Sequence, residues 1–122
     1  MARRFTGQRK PEQDAMLVSM GDAGLIAPTS IPAPRRMWSD GEWDQLRRGI
    51  VGADWVAAVV GDRLLLSQVA TGKSIYGARF RRELAGWKIV SADVEGDPSA
   101  YQPGSAERES ERLQSVIERL LR

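Results

Sequence analysis

Residues 55–94 read WVAAVV-GD-RLLLSQVA-TGK-SIYGARFRRE-LAG-WKIVSADV, which is four apolar-rich segments separated by two or three turn-forming residues. Segments of this length are typical of β-strands, and connections this short join antiparallel neighbours. The sequence therefore predicts four strands that pair in chain order as an antiparallel meander, with the bounds 55–60, 63–70, 74–83 and 87–94.

The turn lengths predict which side chains share a face of this sheet, because successive residues of a strand point to opposite faces. The predicted turn pairs are Val60 with Arg63, Ala70 with Ser74, and Glu83 with Trp87. Counting from these pairs gathers mostly apolar side chains on one face, the predicted core face: Trp55, Ala57, Val59, Leu64, Leu66, Gln68, Tyr76, Ala78, Phe80, Val90, Ala92 and Val94. Three separately counted hairpins agree on this face, which supports the meander as a whole.

Two amphipathic helices are predicted to cover the core face. The first begins at a capping box over residues 39–42, with flanking tryptophans placed as a hydrophobic staple, and continues past Ile50 to Gly52. The second begins after Ser105 and carries apolar residues at helical spacing: Leu113, Val116, Ile117, Leu120 and Leu121. The predicted fold class is α+β, a four-stranded antiparallel meander with two helices packed on one face.

A flexible N-terminal arm is predicted to precede the folded domain. The arm spans residues 1–37 and contains several prolines that interrupt regular structure, while residues 11–20 have the pattern of a short helix. Residues 1–36 hold six basic and three acidic residues, so the arm carries most of the positive excess. The predicted α-β-β-β-β-α domain spans residues 38–122.

The opposite, outer face of the predicted sheet carries more apolar side chains than a solvated face should. Full burial of each is worth about 1.5 to 3 kcal/mol, so we expect something to cover them. The predicted partner interface combines apolar and small side chains with two arginines: Val56, Ala58, Leu65, Val69, Ile75, Arg79, Arg81, Trp87 and Ile89.

Three covers remain open for this face: a second copy of the chain, a different macromolecule, or the apolar part of the arm. Two-fold homodimers are the commonest soluble oligomers, so the sequence favours a homodimer or a protein target. The resulting hypothesis is a small non-enzymatic interaction protein, a regulator or adaptor acting through the outer face. In this hypothesis the apolar side chains supply burial and the arginines set specificity.

The alternative hypothesis is a nucleic-acid-binding accessory protein that uses the basic arm. Flexible basic arms contact phosphates through long-range, salt-sensitive attraction. The candidate residues form two clusters: Arg3, Arg4, Arg9 and Lys10, then Arg35 and Arg36. A helix-turn-helix or zinc-finger pattern is missing, and the outer face offers few stacking rings.

Composition excludes most familiar enzyme and metal sites. The chain has no Cys and no His, hence no disulfide, no thiolate or imidazole ligand, and no Ser-His-Asp nucleophile. Asp93, Glu95 and Asp97 alternate like the start of a calcium loop, but Pro98 replaces the required glycine. The sequence therefore indicates no catalytic residue, metal, cofactor or small-molecule substrate, and an enzyme acting through these carboxylates or Tyr76 ranks third.

Source and location are inferred from composition alone. Arginine outnumbers lysine 15 to 3 and asparagine is missing, a bias that indicates a GC-rich bacterium or its mobile elements. The longest apolar run has strand length, far short of the roughly 18 residues that a membrane span needs. The twin arginines near the start are followed by polar residues rather than by an export signal. We therefore expect a cytoplasmic protein with no membrane association.

Overall fold

The computed structural model describes residues 24–122 as a seven-stranded antiparallel sheet with two helices. The strands and helices, in chain order, are β1 Pro28–Ile31, β2 Met37–Trp38, α1 Asp40–Arg47, β3 Ile50–Val51, β4 Trp55–Val60, β5 Arg63–Gln68, β6 Ser74–Glu83, β7 Gly86–Glu95 and α2 Ala106–Leu120. The class is α+β.

The prediction of a four-stranded meander is wrong, because three short strands extend the sheet at both edges. Strands β4 to β7 pair as consecutive antiparallel hairpins, and β3 adds to the free side of β4. Strands β1 and β2 both pair along β7, so the order is β1-β7-β6-β5-β4-β3 with β2 beside β7. The added strands have four, two and two residues, too few for alternation to reveal them.

The proline-containing stretch after residue 27 belongs to the sheet rather than to a linker. Pro28 opens β1 at the sheet edge, where the missing N–H removes no ladder hydrogen bond. Ile31, at the other end of β1, is 6 % exposed and joins the core. The predicted helix over residues 11–20 lies outside the described residues.

Helix α1 begins as predicted and ends earlier. Its capping box is confirmed: the Ser39 side chain accepts from the Glu42 N–H, and the Glu42 carboxylate accepts from the Ser39 N–H. The helix ends at Arg47, and Gly49 at φ +85° reverses the chain. The β-branched pair Ile50–Val51 then forms β3 instead of a last helical turn, so the placement of Ile50 in the helix is wrong.

The register of the central sheet departs from the prediction at two β-bulges. The two-residue turn between Val60 and Arg63 is as predicted. Strands β5 and β6 are shifted by two residues relative to the prediction, which preserves the faces, until a bulge pairs Ser67 with Ser74. Strands β6 and β7 keep the predicted register at Arg79 and lose it at the next residue, where a second bulge begins.

The hydrophobic core lies between the helices and one face of the sheet. Helix α2, capped by Ser105 as predicted, contributes Leu113, Val116 and Ile117, all fully buried. Helix α1 contributes Leu46, which is also fully buried, and Trp43, which is 4 % exposed. Both helices therefore cover the same face of the sheet.

Candidate functional site

Three side chains of the predicted partner interface belong to the core instead of the outer face. Ile75 and Ile89 are fully buried members of the hydrophobic cluster. The Trp87 ring stacks on Trp43 at a centroid distance of 4.8 Å, and its indole N–H donates to Asp40 at 2.9 Å. The assignment of these three residues to the outer face is wrong.

The β6–β7 bulge is the physical reason for part of this error. It pairs Phe80 with Ile89 and Arg79 with Ser91, which leaves Val90 as an extra residue. An extra residue reverses the alternation, so the side chains of β7 before the bulge change faces. Lys88, which pairs with Arg81, therefore lies on the outer face, to which the sequence had assigned its neighbours Trp87 and Ile89.

The centre of the outer face has little accessible surface. Ala58 and Leu65 are each 1 % exposed, and Leu65 pairs with Gly77. Ser67 and Ser74 bond to each other across the bulge at 3.1 Å. Although Ala58 and Leu65 lie on the predicted face, they are not an open apolar patch.

The accessible apolar side chains lie at the margins of the outer face. Val51 and Val60 are 75 % and 56 % exposed, and Val56 between them is half-buried. Val69 is 48 % exposed in the β5–β6 connection. Leu84 is fully exposed at the tip of the β6–β7 hairpin, next to the basic end of the sheet.

Basic side chains frame the end of the outer face near that hairpin. The Arg63 guanidinium lies over Gly77, where a Cβ would approach it to 3.1 Å. The Arg79 and Arg81 side chains are 58 % and 62 % exposed, and Lys88 is exposed beside them. Arg79 is 3.6 Å from Asp62 and Arg81 is 2.7 Å from Glu83, so both ion pairs are local and solvent-screened.

The structure describes two of the six nucleic-acid-binding candidates of the arm. Arg3, Arg4, Arg9 and Lys10 lie outside the described residues. Arg35 is exposed.

Arg36 is occupied within the fold. Its guanidinium contacts Glu42 of α1 at 2.7 Å and Glu118 of α2 at 3.0 Å, and it lies 4.0 Å above the Trp38 ring. Arg36 thus joins the two helices, and this role removes it from the set of free phosphate-binding candidates.

A buried carboxylate holds the segment before α2 against the sheet. Glu109 is 4 % exposed and accepts from the hydroxyls of Tyr76 at 2.5 Å and Tyr101 at 3.0 Å, and from the Gly104 N–H at 2.8 Å. Burial raises the pKa of Glu109, but these donors outweigh it and hold the pKa below its ordinary value. Burial and the bond to Glu109 raise the pKa of Tyr76. Three donors leave this carboxylate poorly placed to accept a substrate proton.

The acidic segment that resembles a calcium loop serves as backbone caps. The Glu95 carboxylate, 1 % exposed, accepts from the N–H groups of Ile26, Ala27 and Asp97. Burial raises the pKa of Glu95, but these bonds lower it to below the ordinary value. Asp97 caps Ser99 in the same manner.

Over residues 24–122, no group of three or more acidic side chains is arranged to hold a metal ion. Within the same range, neither helix combines the length and the apolar character needed to cross a membrane.

Sequence reasoning missed two accessible residues of this surface. Lys88 was hidden by the bulge, which has no sequence signature of its own. Leu84 did have a signal: it occupies a tight turn where Gly, Asn or Asp is usual, so an apolar side chain there must project into solvent.

A scan against protein-family models, a search of curated proteins and a search of solved structures each returned no significant match.

Proposed function

We propose that this chain is a non-enzymatic interaction protein, a regulator or adaptor that binds an acidic protein partner at the outer face of its sheet. The observation that supports the proposal most directly is the exposed trio Arg79, Arg81 and Lys88 beside the fully exposed Leu84. An apolar anchor next to arginines is a composition enriched at protein interfaces.

The hairpin that carries this surface is held rigidly, which lowers the entropy cost of binding. Strand β2 pairs with β7 at Lys88 and Trp87. On the other side of the hairpin, Arg82 forms an ion pair with Asp40 of α1 at 3.0 Å. The backbone that carries the arginines is therefore paired with its neighbours before a partner arrives.

The charge of the surface favours an acidic partner over a second copy of the chain. The β6–β7 bulge removes Trp87 and Ile89 from the outer face and adds Lys88 to its arginines, while Ile75 is a buried member of the core cluster. In a two-fold dimer the same patch contacts itself, so the basic ends would repel unless displaced from the axis. A partner with carboxylates around an apolar side chain meets no such repulsion.

The proposal is tested with a random peptide library displayed on phage, selected on the full chain. We expect enriched peptides that combine Asp or Glu with a large apolar residue. Isothermal titration of a selected peptide should show at least about a tenfold loss of affinity, about 1.4 kcal/mol, for the double variant R79E/R81E. The matched control R47E/R48E exchanges two exposed arginines at the end of α1 and should bind as the parent does.

Three outcomes would overturn the proposal. Equal affinity of R79E/R81E and the parent would place binding elsewhere, and selected peptides without acidic residues would contradict the charge argument. Sedimentation of the full chain in the same buffer distinguishes a second copy: a dimer that dissociates on R79E/R81E exchange would replace the acidic partner with self-association.

A further inference from the structure

A stripe of arginines on helix α2 and at its C-terminal end serves neither the core nor the outer face. At about 100° per residue, Arg108, Arg112 and Arg119 fall within about 40° of one another around the helix axis, and Arg122 follows the end of the helix. All four are exposed. The acidic residues Glu107, Glu111 and Glu118 fall on the neighbouring sector, so the two charges are segregated along the helix.

The arginine stripe borders an elongated groove. Cavities of about 530 Å³ and 430 Å³ both border Arg112, and the second adjoins a third of about 410 Å³ beside Arg119. The opposite wall is formed by the segment from Ala53 to Trp55 and by Val69. From Arg108 to Arg122 the stripe spans about 21 Å along the axis, at about 1.5 Å per residue.

These arginines form no close ion pair within residues 24–122. At longer range, the charges of Arg112 and Arg122 help to lower the pKa of Glu109 and Glu118. Arg112 donates to the Tyr101 hydroxyl at 2.6 Å, which orients one guanidinium at the groove. Three carboxylates also line the cavities: Glu109 is already bonded to three donors, Glu111 lines the first cavity, and Asp54 lies in the wall shared by the second and third.

We propose that this groove binds the phosphate backbone of a single-stranded nucleic acid along the arginine stripe. Spaced guanidiniums match a chain of phosphates, each able to accept two hydrogen bonds from one arginine. A single strand can follow the groove on the arginine side of α2, where Glu111 is the one exposed acidic residue of the helix that lines it. The larger surface of a duplex would also bring phosphates against Glu107 and Glu118, which lie on the neighbouring sector of the helix.

The proposal does not depend on the acidic protein partner, because the arginine stripe lies on α2 and at its end, whereas Arg79, Arg81 and Lys88 lie on β6 and β7. The groove touches the outer face only at the marginal residues Val51 and Val69. It also differs from binding by the N-terminal arm, since among residues 24–122 those that line the groove begin at Ile50.

The test uses a fluorescein-labelled single strand of mixed sequence, about 16 nucleotides long, with binding followed by fluorescence anisotropy. We expect binding that weakens steeply between about 50 and 200 mM salt. The variant R108E/R119E should bind with at least about tenfold weaker affinity. The variant R108Q/R119Q should reduce the slope of log affinity against log salt by about 1.4, which is about 0.7 for each phosphate that an arginine no longer neutralises. The control R47E/R48E should bind within about twofold of the parent, and thermal unfolding checks that each variant is folded.

Four results would overturn the proposal. An unchanged affinity and salt slope in folded R108E/R119E and R108Q/R119Q would move any binding to another surface, and an absence of binding by the parent at low salt would remove the site. Tighter binding of the matching duplex would contradict the single-strand assignment. Displacement by poly-glutamate as effective as displacement by unlabelled oligonucleotide would reassign the groove to acidic peptides.

Discussion

At the scale of single residues, Gly86 is the position where the backbone leaves least room for a side chain. Its φ is +139°, and a Cβ there would lie 2.5 Å from the backbone oxygen of Trp38. We expect Gly86→Ala to lower the free energy of unfolding by about 3 kcal/mol or more, because backbone strain and overlap add. Urea denaturation at neutral pH measures this change.

Gly61 supplies the matched control for that substitution. It also has a positive φ, +64°, but nothing lies within 4 Å of a Cβ built there. Gly61→Ala should therefore cost about 1 kcal/mol, the strain of the left-handed conformation alone. Equal losses at the two glycines would show that contact with Trp38 contributes nothing.

At the scale of elements, Arg36 couples the β1–β2 connection to both helices. Lysine would keep the charge but lose the planar fork that reaches Glu42 and Glu118 and the stack on Trp38. Because these ion pairs are about one-third exposed, we expect Arg36→Lys to cost only about 1 kcal/mol of stability. The thermal midpoint should fall measurably.

The exposed Arg48–Asp44 pair provides the comparison for Arg36. Arg48→Lys alters an ion pair at 3.2 Å between residues one helical turn apart and has no ring beneath it. Its thermal midpoint should stay close to that of the parent. If the two lysine variants melt together, the link between α1 and α2 does not depend on the guanidinium geometry.

Sequence reasoning reached those elements whose determinants are local. The capping box at Ser39, the cap at Ser105 and the turn after Val60 each depend on a few neighbouring residues, and each was predicted correctly. Strands β1 to β3 were missed because their stability comes from pairing with β7 and β4, and two or four residues carry no periodicity of their own.

The candidate site was predicted only in part, because long-range strand pairing also determines which face of the sheet a side chain occupies. A single extra residue at Val90 moved Trp87 and Ile89 to the helix side, although the local alternation of apolar and polar residues suits either face. Arg79 and Arg81 lie on β6, the strand without the extra residue, on either side of the buried Phe80. A bulge interrupts the regular pairing from which the alternation of faces is counted. The faces beyond a bulge can therefore be assigned only from the observed strand pairing.

At the scale of the whole molecule, two buried carboxylates make stability depend on pH. Glu95 and Glu109 have pKa values held below the ordinary 4.5. A carboxyl group with a lowered pKa in the folded state stabilises the fold above its unfolded-state pKa, and this contribution is lost as pH falls through the lowered value. We therefore expect the free energy of unfolding to decrease as pH falls below about 4.5.

Denaturation curves at neutral and acidic pH for the parent and for Glu95→Gln test this expectation. The variant should be less stable at neutral pH, because the amide is a poorer acceptor for the N–H groups of Ile26 and Ala27. Its stability should also change less with acidification. A variant with the same pH dependence as the parent would exclude Glu95 as a source of the acid sensitivity.

The stacked indoles of Trp43 and Trp87, tilted by 25° from each other, give the molecule a built-in optical reporter. One ring belongs to helix α1 and the other to strand β7, so their electronic coupling exists only while the helix sits on the sheet. Near-ultraviolet circular dichroism detects such fixed aromatic packing and loses it when tertiary order is lost. Detachment of α1 from the sheet can thus be followed by this spectral change without an added label.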